Sequence, residues 1–431
     1  MSTIRPFRAV RYATAAGARD VSALLAPPYD ILDQADKDRL LGRDARNFVK
    51  IDLPFIPPKS AGPPELYEQA ADQLRAWLAD GTMVRDDAPA VYVYHQAYTY
   101  AGVPYVRKMF FARLKIEPFG TGSVFPHERT FGGPKEDRLR LTQATCANLS
   151  PIFGLYQDAS NTVAGLLEKS LPDEPLAVGT LDEVQNRLWA VTASDTIAEV
   201  QRLLADKAIY IADGHHRYGT AGMYRDWLIE QQGPLPEDHP ANFVLCVFCA
   251  MEDPGLLILP THRVLPGVTV TAEMLKHHEP VEVAHLLVER ADEVPAALAK
   301  FGPQAVGMWN TREKGFFMVR PLRADLLDPL EPDHCEAWRR LGLTFLHAYL
   351  IERFIVPECC AGSAPEVRYL KAADDAIRAA QDTGGTAFLM QPSTMEELRA
   401  VCQAGEVMPQ KSTYFYPKLA SGLVVNPLDE G

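Results

Sequence analysis

The chain has 431 residues, of which 47% are hydrophobic and 23% charged, with a net charge of −13 at pH 7. These values exclude collagen, a coiled-coil rod and an intrinsically disordered chain, and the length suits two or three domains with a large core. The acidic balance argues against a general nucleic-acid binder, which needs surplus Lys and Arg to neutralise phosphates, while leaving room for a local basic cleft.

No run reaches the ~18 to 20 apolar residues that a membrane helix needs. Met1 to Pro6 shows no apolar stretch after its positive charge, so no secretory signal is expected and the chain is expected in the cytoplasm. Seven cysteines, an odd number, then read as reduced thiols.

In chain order, Ala26-Pro-Pro-Tyr-Asp30 opens a loop-rich segment, because each proline fixes φ and removes a donor. Asn47 to Leu53 reads as a short strand and Glu65 to Ala79 as an amphipathic helix. Val91 to Ile116 reads as a hairpin turning at Tyr100-Ala101-Gly102. A glycine-flanked loop carries Pro126-His-Glu-Arg-Thr130, and a helix is expected from Lys135 to about Ala147. Strands are expected at Leu149–Tyr156, Asn186–Val191, Ala208–Ala212 and Asn242–Ala250, with helices near Val163–Ser170, Thr196–Leu204 and after Asp213. The alternation continues to the end and includes one long helix over Cys335–Phe354. The expected fold class is α/β (α+β).

The sharpest motif is Asp213-Gly-His-His-Arg217, after the apolar strand Ala208 to Ala212. Asp213 suits an N-cap, Gly214 a tight turn, and the first helical N–H groups an anion. His215, His216 and Arg217 add donors, and a guanidinium grips phosphate with two hydrogen bonds. The competing reading is a capped helix whose first turn is merely polar. Adjacent helical residues point about 100° apart, so two neighbouring histidines suit one metal ion poorly, and the spacing matches no zinc signature.

A second cluster, Pro126-His127-Glu128-Arg129-Thr130 with Lys135, Glu136, Asp137 and Arg138, offers a general base in Glu128 and a charge clamp; it reads equally well as a solvated loop. The third, Lys411-Ser412-Thr413 among aromatics with Lys418, suits a phosphate or a base, and reads equally well as an aromatic strand. Thr261-His262-Arg263 sits where a strand end can line a cleft. Cys246 and Cys249 lie in an apolar strand, where residues i and i+3 face opposite sides, so they read as core.

Five stretches resemble a bacterial and archaeal family designated domain of unknown function 1015. They are Ala26 to Asp30, Pro126 to Thr130 with Pro134 to Leu139, Ala147 to Tyr156, Ala212 to Tyr218 and Met408 to Lys418. Asp213 to Arg217 at a strand-to-helix junction also resembles the phosphate-binding turn of the ParB/sulfiredoxin superfamily, whose free-serine-kinase branch uses a very similar string. That resemblance implies a ParB/sulfiredoxin-like nucleotide-binding core over residues 1–240 and a mixed α/β domain over 241–431 that contributes to the cleft. It implies that His215, His216 and Arg217 hold phosphates, and the motif readings add Gly214, Lys411, Ser412 and Thr413 as phosphate- or nucleotide-binding candidates. Glu128, Asp213 and His216 would form the catalytic set, with Asp213 a magnesium ligand and ATP or ADP the co-substrate. Tyr29, Asp30, His127, Arg129, Lys135, Arg138, His262, Arg263 and Lys418 are further cleft candidates.

The implied activity is phosphoryl transfer to a small hydroxy metabolite such as free serine, with no membrane or general nucleic-acid partner. The alternatives are a nucleotide-binding regulatory module and a metal-dependent hydrolase. Glu128 and Asp213 are far apart in sequence, so an insertion must lie between the two motifs.

Overall fold

The computed structural model describes residues 3–14, 19–58, 60–119, 122–128 and 133–429. It divides the chain into two compact units, Met1–Leu257 with Pro417–Gly431, and Ile258–Tyr416.

The first unit is built on a nine-stranded mixed sheet. Its strands are β1 (Ile4–Arg5), β2 (Val91–Tyr100), β3 (Val103–Lys115), β4 (Val124–Pro126), β5 (Ile152–Tyr156), β6 (Ala177–Leu181), β7 (Val184–Val191), β8 (Ile209–Asp213) and β9 (Phe243–Ala250). The order is β4-β8-β5-β9-β3-β2-β7-β6, with β1 beside β3. The β8–β4 and β9–β5 pairs are parallel and the others antiparallel.

Each position has a local cause. β9 is apolar throughout and buried at every residue, as an interior strand covered on both faces requires. β2 and β3 join through Ala101 (φ 48°) and Gly102 (φ 78°). Two successive positive φ values suit the right-handed twist of a two-residue hairpin. The helices nearest the site are α1 (Pro64–Ala79), α2 (Gly133–Thr145) and α3 (His215–Gln232). α2 packs against both α1 and α3.

The division expected at residue 240 would separate β9 from β3 and β5, with which it pairs throughout, so the first unit extends past it. The chain also re-enters that unit at Pro417. There Val425 pairs with Val10, Ser421 with Ala26, and Asn426–Pro427 with Ala147–Asn148.

Asn47 to Leu53 is not a strand. Asn47 donates to the carbonyls of Ala23 (2.7 Å) and Leu25 (2.8 Å) and accepts the Val49 N–H (3.0 Å). This pins one helical turn, Val49–Asp52, that ends with Asp52 buried.

The second unit carries a six-stranded antiparallel sheet. Its strands are β10 (His262–Leu265), β11 (Val281–His285), β12 (Val306–Asn310), β13 (Phe316–Pro321), β14 (Arg368–Leu370) and β15 (Thr386–Leu389), in the order β11-β13-β12-β15-β10-β14. The helix expected over Cys335–Phe354 is broken. Leu341 is extended (ψ 136°), and the chain resumes through Gly342–Thr344 into a wider π-type turn, Phe345–Ile355. Among the described residues no helix is long and apolar enough to cross a membrane.

Candidate functional site

β8 carries Ile209 to Ala212 into the core and ends at Asp213. Its pairing with β5 slips between Ile211 and Asp213, an irregularity that re-aims the last side chain. Gly214 then takes φ +89° and α3 starts at His215. A Cβ at Gly214 would lie 3.0 Å from Arg217 Nε and 3.1 Å from the Ile152 Cα, so both the turn and its tight packing demand glycine.

Asp213 is not the N-cap expected from the sequence. Gly214 holds that position and no side chain caps the helix. Instead Asp213 Oδ2 lies 2.6 Å from Lys418 Nζ, and its Oδ1 accepts from Arg217 Nη2 at 3.2 Å. Burial pushes this carboxyl up, but Lys418 and Arg217 outweigh it and hold it well below the usual carboxylate range. Arg217 also donates from Nη1 to the Pro151 carbonyl. The turn is therefore closed by its own charges.

The adjacent histidines have different surroundings. His215 is 7% exposed, and its Nε2 accepts the His127 N–H at 3.1 Å. Burial first, and His127 second, depress its pKa far below the ordinary value. With Nε2 accepting, it is a neutral residue that positions the loop and carries its proton on Nδ1. His127, also buried, donates from Nδ1 to the Ile211 carbonyl, and its ring meets that of His215 edge-on at 4.6 Å. This pair joins the Pro126–Glu128 segment to the turn. Glu128 Oε1 stands 3.7 Å from His127 Nε2, with its side chain 31% exposed. His216 is partly exposed. Lys135 crosses α3 at Gly219, where a Cβ would come within 3.2 Å of its Cε. Arg129 lies outside the described residues.

Tyr29 and Arg138 meet in an adjacent buried network. The guanidinium stacks 3.8 Å from the Tyr29 ring centroid. It donates to Asp137 Oδ2 at 2.7 Å and to the Asp52 carbonyl at 2.7 Å, and pairs with Asp52 Oδ1 at 3.4 Å. Asp137 also accepts from the Tyr67 hydroxyl (2.8 Å), and Asp52 from Ser150 Oγ (2.5 Å). Burial raises the Asp52 pKa, although Arg138 and Ser150 pull it down. It pushes Tyr29 up to about 12. The sequence analysis missed Asp52, Ser150 and Tyr67. The only signal for Asp52 was its place in a segment misread as a strand. Asp30 is partly exposed on the short turn Tyr29–Ile31.

Lys411, Ser412, Thr413, His262 and Arg263 belong to the second unit. There Arg263, 1% exposed, donates to the carbonyls of Thr261 and Lys411, the latter at 2.8 Å. Arg263 and Ser412 line a small pocket with Thr261, Gln391 and Ser393. His262 is a structural residue, since its Nδ1 accepts the Met390 N–H at 3.1 Å. Cys246 and Cys249 are fully buried and their thiols are pushed well up by burial, as core cysteines.

Magnesium on Asp213 does not fit this arrangement, because both carboxylate oxygens are engaged by cations. Among the described residues no group of three or more His, Cys, Asp or Glu side chains could hold a metal ion.

Distant likenesses to solved structures exist. Free serine kinase in complex with AMP shares 14% identity and a TM-score of 0.33, over 70% of this chain and 89% of that one. SbnI with C-terminal truncation from Staphylococcus aureus shares 12% identity and a TM-score of 0.36, over 74% and 89%. A conserved hypothetical protein from Pyrococcus furiosus shares 15% identity and a TM-score of 0.33, over 70% and 92%. No curated protein matches the chain. Residues 4–334, which include the Asp213 turn, Glu128 and Arg138, match the family described as "Protein of unknown function (DUF1015)", and the chain belongs to that family.

Proposed function

We propose that the chain is a nucleotide-dependent phosphotransferase that acts on a small hydroxy metabolite, with free serine as the acceptor and ATP or ADP as the donor. The supporting observation is the convergence of Lys418 and Arg217 on Asp213, at a glycine turn that opens a helix. An incoming phosphate would take over donors that Asp213 now holds, and would face the N–H groups and positive end of the first helical turn. Asp213 enters as a positioning residue that keeps two cations together. His216 and Lys135 add polar groups on the same end of α3.

Glu128 is the candidate general base. In the transfer, the acceptor oxygen bonds to the terminal phosphorus while the bridging P–O bond breaks. The hydroxyl proton passes to Glu128, and the shortened nucleotide leaves with the bridging oxygen.

A second reading is a nucleotide-binding regulatory module. One observation favours it: the turn is closed by an internal carboxylate and the Pro151 carbonyl, which suits a switch opened by phosphate. Phosphorus NMR with ATP or ADP, magnesium and serine tests both. The phosphotransferase reading expects a new phosphomonoester signal that is absent with His216→Ala/Arg217→Ala. It also expects Glu128→Gln to slow transfer about 10²- to 10⁴-fold while nucleotide still binds. Nucleotide binding without product would leave the module, and neither binding nor product would remove both.

A further inference from the structure

We infer that a buried pocket beside the turn receives the zwitterionic head group of an α-amino acid. The pocket has about 40 Å³ of internal space and is lined by Tyr29, Asp52, Arg138, Ser150, Arg217 and Thr220, among others. That is room for two or three waters or a small polar group. It is too small for a nucleotide.

The lining selects for charge. Asp52 brings a carboxylate, and Arg138 and Arg217 bring guanidiniums. A bare anion would be drawn to the arginines but repelled by Asp52. A bare cation would meet two guanidiniums. A group that carries both signs on one carbon satisfies both walls, which is the chemistry of an α-amino-acid head. Its ammonium would face Asp52, which already accepts from Ser150, Ser421 and Arg138 and, with about four lone-pair sites, keeps room for one more donor. Its carboxylate would face the arginines and Thr220.

Thr220 supplies an independent indication. It is 3% exposed, and among the described residues its Oγ1 has no hydrogen-bond partner. A buried hydroxyl left unpaired is costly unless something occupies the space before it. Burial also raises the Asp52 pKa, and a neighbouring ammonium would favour its ionised form.

Arg217 lines this pocket and pairs with Asp213, so one guanidinium serves both places. The inference deepens the phosphotransferase reading and rests on it for the acceptor hydroxyl, though not for the head group.

Calorimetric titration of the full chain tests it with four compounds: L-serine, L-alanine, ethanolamine and hydroxypropionate. L-Alanine lacks only the hydroxyl, ethanolamine only the carboxylate, and hydroxypropionate only the ammonium. L-Serine and L-alanine should both bind, and each single-charge analogue at least about tenfold more weakly. Thr220→Val, checked for folding by its melting curve, should weaken L-alanine several-fold. Equal binding of ethanolamine or hydroxypropionate would overturn the assignment. So would ADP binding with no response to either amino acid up to high millimolar concentrations, an outcome that spares the phosphate turn. Amino-acid binding without any ADP binding would keep the pocket and remove the phosphotransferase reading.

Discussion

Lys418 Nζ lies 2.6 Å from Asp213 Oδ2, across 205 residues of sequence. The lysine reaches this point because the chain re-enters the first unit at Pro417. Its backbone is held as well, since the Lys418 carbonyl accepts from Gln96 Nε2 at 3.0 Å. A residue near the C-terminus thereby sets the charge of a turn built in the middle of the chain.

Removing this pair has a defined pH signature. Asp213 is held below the usual range, so its ionisation stabilises the fold above the unfolded carboxylate pKa of about 3.9. That contribution fades as the pH falls through about 3.9 toward the lower folded value. Asp213→Asn should therefore trail the wild type most near about pH 7 and least in strong acid. Urea denaturation across that range decides it, and a pH-independent gap would contradict the ion-pair account. Lys418→Met should weaken ADP binding about tenfold or more.

Gly214→Ala tests the turn itself. At φ +89°, with Arg217 Nε 3.0 Å and the Ile152 Cα 3.1 Å from the new Cβ, both backbone and neighbours resist it. A loss of about 1 to 3 kcal/mol is expected. Weaker nucleotide binding should accompany it, because Arg217 must move. Thermal melts and ADP titration would show whether the two effects appear together.

Arg138→Met should cost about 3 to 5 kcal/mol, because it strands the buried carboxylates of Asp52 and Asp137. Arg138→Lys should recover only part of that. An ammonium cannot copy the stacking on Tyr29 and the fork of contacts to Asp137 and the Asp52 carbonyl. Full recovery by lysine in chemical denaturation would mean that charge alone matters there.

His262 governs a milder acid range. Burial first, then Arg263, lowers its pKa to about 4. Unfolding frees it to take a proton at about 6.5, so the stability it confers is whole above that pH and is lost as the pH falls toward its folded value. His262→Gln should flatten the stability loss between about pH 6.5 and 4 relative to the wild type. An unchanged slope would exclude the histidine as its source.

Much of the site was legible in local pattern. Asp213-Gly214 at the end of an apolar strand announced the turn, and Ala101-Gly102 the hairpin, because both depend on backbone freedom at one or two residues. Cys246 and Cys249 read correctly as core, since β9 is apolar throughout. The errors came where side chains reach far along the chain. Asn47 bonds to Ala23 and Leu25 and so makes a helical turn from a segment of strand-like composition. Asp52 was thus overlooked, and the contact of His215 Nε2 with the His127 N–H was not foreseen.

The sequence by itself determined the mixed α/β class, the strand-to-turn-to-helix geometry at Asp213 to Arg217, and an acidic chain with a local cluster of cations. Those features follow from periodicity, glycine conformation and residue type within a few positions. Only the tertiary structure decided which charges meet. Lys418 beside Asp213, His127 against His215, and Arg138 between Asp52 and Asp137 join residues from 1 to 205 positions apart in sequence. Electrostatic partnership depends on distance in space and on burial, and neither is written in the spacing of residues along the chain.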